Sequence, residues 1–451
     1  MRVLFLTHFF PPEIGPPQTR ILETARDLQQ MGHAVAVLTT FPNYPSGEIP
    51  AGYRGRVLMR EEMEGIPVVR SWLYAAPNRG FLRRSLSHLS FALSALPAAT
   101  RLPWRPDVIV VDMHPLFLCV TAAILGRWWG VPYVLNAGDL IPEQAVAYGV
   151  MRNPIAIRVT RALASFALNH AAQVVPFTRG IEAALRERGI PPERLHLIYY
   201  GADVELFQEP IPEGETIPGL ESIAPDAFVV MYAGTHGLPH ALDTVLDTAE
   251  LLADEPDVHL LLVGDGGEKP RLVAKARERG LANITFLDPV PRRLLPALYR
   301  RADACLVTLR RSDWLRDFAL SSKVFDVMAA GRPAIVAAEG ETADVVEHAC
   351  AGLCVPPEDP AALAEAIRAL RARPALARQL GENGQRYVAA HVSRQRQSRA
   401  FETVLRQAVE AAPEPHAGRA APSGWARADA GRLTEPLERT EPSAGVSRRV
   451  H

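Results

Sequence analysis

Cysteine is scarce in this 451-residue chain, with four in all: Cys119, Cys305, Cys350 and Cys354. That is too few for a disulfide scaffold and fits a reducing compartment. Cys350 and Cys354 lie close together but lack a second pair, which leaves them a weak metal motif. Net charge is also nearly absent: 49 Lys+Arg stand against 50 Asp+Glu, a formal charge of -1. A dedicated nucleic-acid binder would show a basic excess, so no nucleic-acid partner is expected. Long apolar runs are missing as well. The most apolar stretch, Leu116 to Leu135, is broken by Gly126, Arg127 and Pro132, so it does not make a membrane span of about 20 residues. The apolar run at Met1–Thr7 stops at His8 with no small-residue cleavage site, which reads as a buried strand and not a secretory signal. These absences predict a cytoplasmic protein. Lysine is rare: only Lys269, Lys275 and Lys323 occur, so the other 46 basic residues are arginine. No Asp-x-Asp pair occurs, a pair through which a divalent ion often holds diphosphate. No metal and no cofactor is therefore expected.

What is present is the balance of a soluble globular protein, 48% hydrophobic and 22% charged residues, with length for two to four domains. Apolar runs alternate with helical patterns. Val3–Thr7, Ala34–Thr39, Asp107–Val111, Val131–Asn136 and Val174–Pro176 read as strands, with helices at Gln18–Met31 and Leu116–Gly130. Proline and glycine cluster between Gly201 and Glu221, the composition of a linker. The same grammar then restarts. Phe228–Ala233, Val258–Val263, Ile284–Leu287, Ala304–Leu309 and Ala334–Ala338 read as strands and Ala241–Ala253 as a helix. Strands that alternate with helices form parallel, doubly wound sheets. The expected fold class is α/β: two Rossmann-like doubly wound domains facing across a cleft, at residues 1–203 and 204–392. Ligands of such sheets bind at the carboxyl ends of the strands, which makes the cleft the expected site. Residues 412–451 lose apolar periodicity and read as a disordered tail.

The most informative segment runs from Ala319 to Pro333. Ser321 or Ser322 caps a helix there, and Gly331 and Pro333 end it. Lys323 and Asp326 are three apart and share a face at its start. Free N–H groups and the helix dipole favour phosphate at that point, Lys323 adds a compact charge, and Asp326 could accept from two ribose hydroxyls. Together they make a site for a nucleoside diphosphate. An ordinary capped helix with a surface ion pair has the same spacing. Gly234-Thr235-His236-Gly237 follows a strand, and so does Gly15 in the first half. Such loops let N–H groups approach phosphate, although a tight turn uses glycine equally well. Gly264-Asp265-Gly266-Gly267 resembles a dinucleotide loop but has Lys269 where the third glycine belongs. His114, and Asp139 with Glu143, each follow a strand. They are the candidates to meet a sugar or accept a proton near the reacting carbon, and each could equally cap a helix. Leu82, Leu86, Leu89, Leu93 and Leu96, with Arg83, Arg84, Arg101 and Arg105 nearby, form an amphipathic basic helix. Residues 81–105 could therefore touch an anionic membrane, or the helix could simply pack on its own sheet.

Six stretches carry a family resemblance. They are Phe9–Gly15, Phe41–Gly47, Ala76–Gly80, Tyr232–Gly237, Leu262–Gly266 and Ser322–Gly331. Taken in order from Met1 to about residue 390, they resemble the family 4 retaining glycosyltransferases of the GT-B fold. The nearer resemblance is to the subfamily that includes bacterial L-fucosamine transferases of surface-polysaccharide pathways. This implies transfer from a nucleotide-activated sugar, expected to be a UDP-sugar, with retained anomeric configuration. The acceptor would be a glycan or a polyprenyl-linked glycan at the inner face of the cytoplasmic membrane. In this resemblance Asp326 takes the place of a ribose-binding glutamate, His114 matches a histidine near the donor sugar, and Gly15 a loop beside the diphosphate. Gly234, Thr235, His236, Ser322 and Lys323 complete the donor set, with Asp139 and Glu143 beside His114. A C-terminal helix, here 393–410, would cross back to the first domain. Two departures stand out. The first of the family's two spaced glutamates is Phe318 here, and the usual Arg and Lys after Phe228–Ala233 are replaced by Thr235 and His236. A non-hydrolysing UDP-sugar epimerase shares the architecture, and a catalytically silent scaffold is the reading from another class.

Overall fold

The structure, a computed structural model, describes residues 1–13, 15–44, 46–76, 81–210 and 215–412, without the side chains of Pro16, Phe81 and Leu82. The tail expected at 412–451 lies outside the described residues apart from Ala412, as do Ile14, Pro45 and residues 77–80 of the resembling stretches.

The first sheet has seven strands: β1 Arg2–Leu6, β2 Ala34–Thr40, β3 Leu58–Met63, β4 Ile66–Ser71, β5 Val108–Asp112, β6 Tyr133–Ala137 and β7 Gln173–Pro176. Their order is β3-β4-β2-β1-β5-β6-β7, parallel except for β3. The second sheet has six: β8 Phe228–Ala233, β9 Val258–Val263, β10 Ile284–Leu287, β11 Ala304–Thr308, β12 Ala334–Ala337 and β13 Gly352–Val355. Their order is β10-β9-β8-β11-β12-β13, all parallel. Two parallel α/β sheets in separate lobes match the expected architecture. The hairpin β3–β4 and the short β13 were not expected from the sequence. In Leu58-Met59-Arg60-Glu61-Glu62-Met63 only every second residue is partly covered, so charge hides the strand pattern. Glu64 and Gly65, both at positive φ, supply the tight turn that joins it to β4.

The central strands are apolar on both faces because helices cover both. Leu4 and Leu6 point into one core with Leu38, Ile109 and Leu135. Helices α2 Phe81–Ala98, α3 Phe117–Trp129 and, beyond the short α4 Glu143–Ala147, α5 Pro154–His170 close that face. Val3 and Phe5 point to the other face. There they meet α1 Pro16–Gln30 through Ile21 and Leu28, and the C-terminal helix Arg394–Glu410 through Phe401, Val404 and Leu405. The alternation of one strand thus sets both faces of the lobe.

Two chain crossings join the lobes, and they pair with each other: Ala202 N donates to Val392 O at 3.1 Å and Arg394 N to Ala202 O at 2.9 Å. A Cβ on Gly201 would stand 2.7 Å from Arg394 Cα, so only glycine lets the crossings come this close. Away from the hinge, Thr178 Oγ1 donates to Phe318 O at 3.3 Å. Tyr199 OH donates to Glu341 Oε1 at 2.7 Å and Arg179 N to Glu341 Oε2 at 2.7 Å.

Candidate functional site

In each sheet the strand order reverses beside a central strand: at β1/β5 in the first lobe and at β8/β11 in the second. Crevices open at the carboxyl ends of such strands. The loops that leave these strands bring the candidate residues toward one another.

In the second lobe the loops after β8 and β9 lie backbone against backbone. His236 N donates to Asp265 O at 2.9 Å and Gly234 N to Val263 O at 2.9 Å. A Cβ on Gly264 would come within 1.9 Å of Gly234 O. Lys323 opens the helix Lys323–Ala329 and lies against the same backbone. A Cβ on Gly234, whose φ is +147°, would stand 2.1 Å from Lys323 Cε. The positive φ calls for glycine, and the lysine stem fills the space its missing Cβ leaves. Lys323 Nζ is 3.4 Å from His240 Nε2 and 5.5 Å from the Tyr232 ring centroid. Among the described residues no carboxylate lies within 4.0 Å of it. The other two lysines are consumed: Lys269 pairs with Asp288 at 2.6 Å and Lys275 with Asp243. Burial pulls the Lys323 pKa down to about 8, with Asp326 opposing. Burial likewise raises the Asp326 carboxyl to about 6, against the pull of Arg292 and Lys323. Both charges are thus held partly desolvated, an arrangement common at binding sites.

The helix start differs from the expected cap. Ser322 takes helical dihedrals and its side chain makes no cap hydrogen bond. Ser321 N donates to Thr342 Oγ1 at 3.1 Å instead. No hydrogen bond involves the N–H groups of Ser322 and Lys323 among the described residues. Thr235 O accepts from Tyr232 OH at 2.7 Å, which fixes the loop. His236 departs from expectation more clearly. It is fully buried, both ring nitrogens are unpartnered, and its ring meets Phe286 edge-on at 6.1 Å. Burial lowers its pKa to about 4, with Lys269 adding to the effect. The imidazole is a neutral filler beneath the loop and does not present itself to the gap.

In the first lobe His114 is exposed. Its pKa is nevertheless lowered, first by the protein mass around it, while Asp139 pulls the other way. It belongs to a cluster no local motif announced: His88 meets His114 at 5.5 Å and His8 at 4.8 Å between centroids. Burial holds His8 near pKa 3 and His88 near 2, so both are neutral; His88 meets His114 edge-on and is itself backed by His8. Asp139 accepts from Gln144 and lines a cavity of about 170 Å³ between the lobes. Tyr148, Phe177 and Tyr200 of the first lobe and Trp314 and Phe318 of the second share that wall. Phe318, standing where the family resemblance has a carboxylate, makes this wall apolar. Glu143 is drawn elsewhere. Arg188 pairs with it at 2.8 Å and Arg161 at 3.3 Å; burial raises its pKa, and these bonds overcome that and lower it. Gly15 begins α1, where its missing Cβ leaves room for the Gln18 side chain. Also unannounced is Arg20 on α1, which pairs with Asp112 at 2.7 Å and stacks over Phe177 at 4.9 Å, tying α1 to the cavity floor.

The second lobe thus offers an ammonium at Lys323 and a carboxylate at Asp326, both shifted by burial, and the first lobe Asp139 on the interlobe cavity and His114. Two facing lobes with the gap at their strand ends define the GT-B class. The comparisons then narrow it. Residues 15–201 match the "Glycosyl transferase 4-like domain" model and residues 227–373 the "Glycosyl transferases group 1" model. The D-inositol 3-phosphate glycosyltransferase of Geodermatophilus obscurus is 31% identical over 80% of this chain and 78% of its own length. Escherichia coli WcaI, named for colanic acid biosynthesis, is 27% identical over 82% of this chain and 91% of its own. In structure, Anabaena HepE in complex with UDP shares the fold with a TM-score of 0.64 and 19% identity, over 90% of this chain and 100% of that one. The chain belongs to the group 1, GT4-like glycosyltransferases.

Proposed function

We propose that this protein is a retaining glycosyltransferase that moves a sugar from a UDP-sugar to a glycan or polyprenyl-linked acceptor of a surface polysaccharide, working at the inner face of the cytoplasmic membrane. The observation that carries the reading is Lys323. It is a half-buried ammonium with no carboxylate partner among the described residues, its stem packed against Gly234. Its charge is unspent, and a diphosphate is the anion that fits beside two open N–H groups. In this reading Gly234, Thr235 and Ser322 shape the phosphate pocket, with Gly15 opposite. Asp326 accepts from the ribose, while His114 and Asp139 flank the sugar. Glu143 orients Arg161 and Arg188 and does not touch substrate, and His236 supports the loop from beneath. As the glycosidic bond to the leaving diphosphate breaks, charge accumulates on its oxygens. Lys323 and the helix start then bind it more tightly than in the ground state, which is what lowers the barrier. WcaI and the HepE complex with UDP support a polysaccharide role and a uridine donor. The L-fucosamine resemblance supports an aminosugar.

A thermal-shift panel of nucleoside diphosphates and their sugars tests the donor, because a ligand that binds only the folded state raises the midpoint. UDP and one UDP-sugar are expected to raise it. With acceptor, proton NMR of the product should show the donor's anomeric configuration. An epimerised nucleotide sugar formed without acceptor would instead establish an epimerase, and silence across the panel would leave a scaffold.

A further inference from the structure

The first lobe carries a surface that donor chemistry does not explain. Eighteen large hydrophobic side chains are exposed among the described residues; eight lie on α2, α3 and α5, and only two, Leu238 and Leu251, lie in the second lobe. These three helices are neighbours: α2 packs on α3, and α3 on α5. On α2, Phe91, Ala92 and Ala95 turn into the core while Leu86, Leu89 and Leu93 face out, Leu93 at 60% exposure. On α3 the outward pair is Ile124 and Trp128; on α5 it is Ile155, at 73%, and Val159. Trp72 and Tyr74 extend the patch beyond β4. They are held to α2 because Tyr74 N donates to Ser90 Oγ at 2.7 Å and Trp72 O accepts from Ser94 Oγ.

The charge on this layer has one sign. None of the three helices contains Asp or Glu, whereas Arg83, Arg84, Arg127, Arg158 and Arg161 are all there. Between Glu64 and Glu182 the only acids are Asp107, Asp112, Asp139 and Glu143. Arg2, Arg20 and the Arg161/Arg188 pair hold three of them, and Asp139 faces the interlobe cavity. Arg83, Arg127 and Arg158 make no ion pair with a described residue. A chain of net charge -1 therefore sets unpaired arginines, and no acidic residue, on the three helices that carry eight of its eighteen exposed large hydrophobic side chains among the described residues.

We propose that this α2/α3/α5 layer docks on an anionic lipid bilayer. Exposed leucines and tryptophans enter the headgroup boundary, and the arginines meet acidic headgroups. A second copy of the chain suits the surface poorly, because an isologous contact would set arginine against arginine. No described helix is long and apolar enough to cross a membrane, so the contact is peripheral. It also deepens the acceptor reading. The inner face of α2 carries His88, which touches His8 and meets the His114 ring. A helix is about 10 Å across, so a sugar on a lipid carrier lying against the outer face is one helix width from the reacting groups.

The test is flotation of the full chain with phosphatidylglycerol–phosphatidylcholine vesicles and with pure phosphatidylcholine vesicles. Binding is expected only to the anionic vesicles and should fall as salt rises. Arg83→Gln and Arg127→Gln should each weaken it about fivefold, and Leu86→Ser with Leu93→Ser should abolish it. None of these should alter the UDP-dependent thermal shift, since none lies at the donor site; loss of that shift in the wild type would overturn the donor reading and leave this one standing. Equal binding to both vesicle types, no flotation, or binding unchanged by both sets of variants overturns the proposal. So does a wild-type dimer that ignores vesicles and dissociates in the leucine variant, which would assign the face to a second copy.

Discussion

Lys323→Met separates a functional lysine from a structural one, because the two predict opposite signs. In the empty protein the lysine pKa falls from 10.5 to about 8. The folded chain therefore binds a proton less readily than the unfolded one. Between these values the unfolded state holds more protons, so stability rises with pH across that window. Below pH 8 both states are protonated and the full burial cost remains. The gap corresponds to about 3 kcal/mol at 1.36 kcal/mol per pKa unit; the ammonium keeps some contact with water, which reduces this to about 1–2 kcal/mol. Methionine fills the same space without charge. At pH 7 the variant should melt about 1–3 °C above the wild type. UDP at a hundredfold excess over Kd should add about 2.7 kcal/mol to the wild type and nothing measurable to the variant. Turnover should fall by about 2–4 kcal/mol of transition-state stabilisation. A variant that melts lower than wild type and still responds to UDP would refute the assignment.

Three further outcomes follow from the same geometry. UDP affinity should be greatest between about pH 6 and pH 8, weakening below as Asp326 is protonated and above as Lys323 loses its proton; calorimetric titration across pH should show the two limbs, and a flat profile would remove both roles. A Cβ at Gly180 would stand 1.7 Å from Asp317 O across the lobe contact. Gly180→Ala should thus push the lobes apart and lower kcat/KM about a hundredfold, with a larger radius of gyration in X-ray scattering, while its own helix gains from the alanine. Glu23→Ala strips a buried carboxylate from Arg292 and Arg394 together and should cost about 2–4 kcal/mol in a denaturant titration.

The parallel strands were legible because each is a short apolar run bounded by glycine or a charge, and burial on both faces leaves no polar alternation to confuse the pattern. β3 was illegible for the converse reason. Its outward positions are Leu58, Arg60 and Glu62, and the strand is visible only once β4 is known to pair with it. β13, four residues with a glycine and Cys354, is too short to show a period. Within the site, Lys323 could be picked out by rarity and by its place at a helix start, both local signals. The residues around it could not. His8, His88 and His114 meet from three distant segments, and Glu143 is claimed by Arg161 and Arg188, 18 and 45 positions away. The burial of His236 depends on the loop after β9 lying over it. Sequence spacing reports what a helix or turn brings together; it does not report what the tertiary fold encloses.

The distribution of satisfied and unsatisfied charge between the lobes follows one division. At the hinge side Glu23 is shared by Arg292 from the second lobe and Arg394 from the returning helix. On the cavity side Glu341 reaches back to Tyr199 and the Arg179 backbone. Both interlobe carboxylates have partners, so contact at the rim offsets its own desolvation. Among the described residues Lys323 has no carboxylate partner, and Asp326 has lost water without gaining a hydrogen bond. The two offset each other, and Arg292 acts on Asp326, only in part: burial still shifts both toward their neutral forms. On the donor reading proposed above, a nucleoside diphosphate would make up that deficit: the rim contacts hold the lobes, and the centre is left to the ligand.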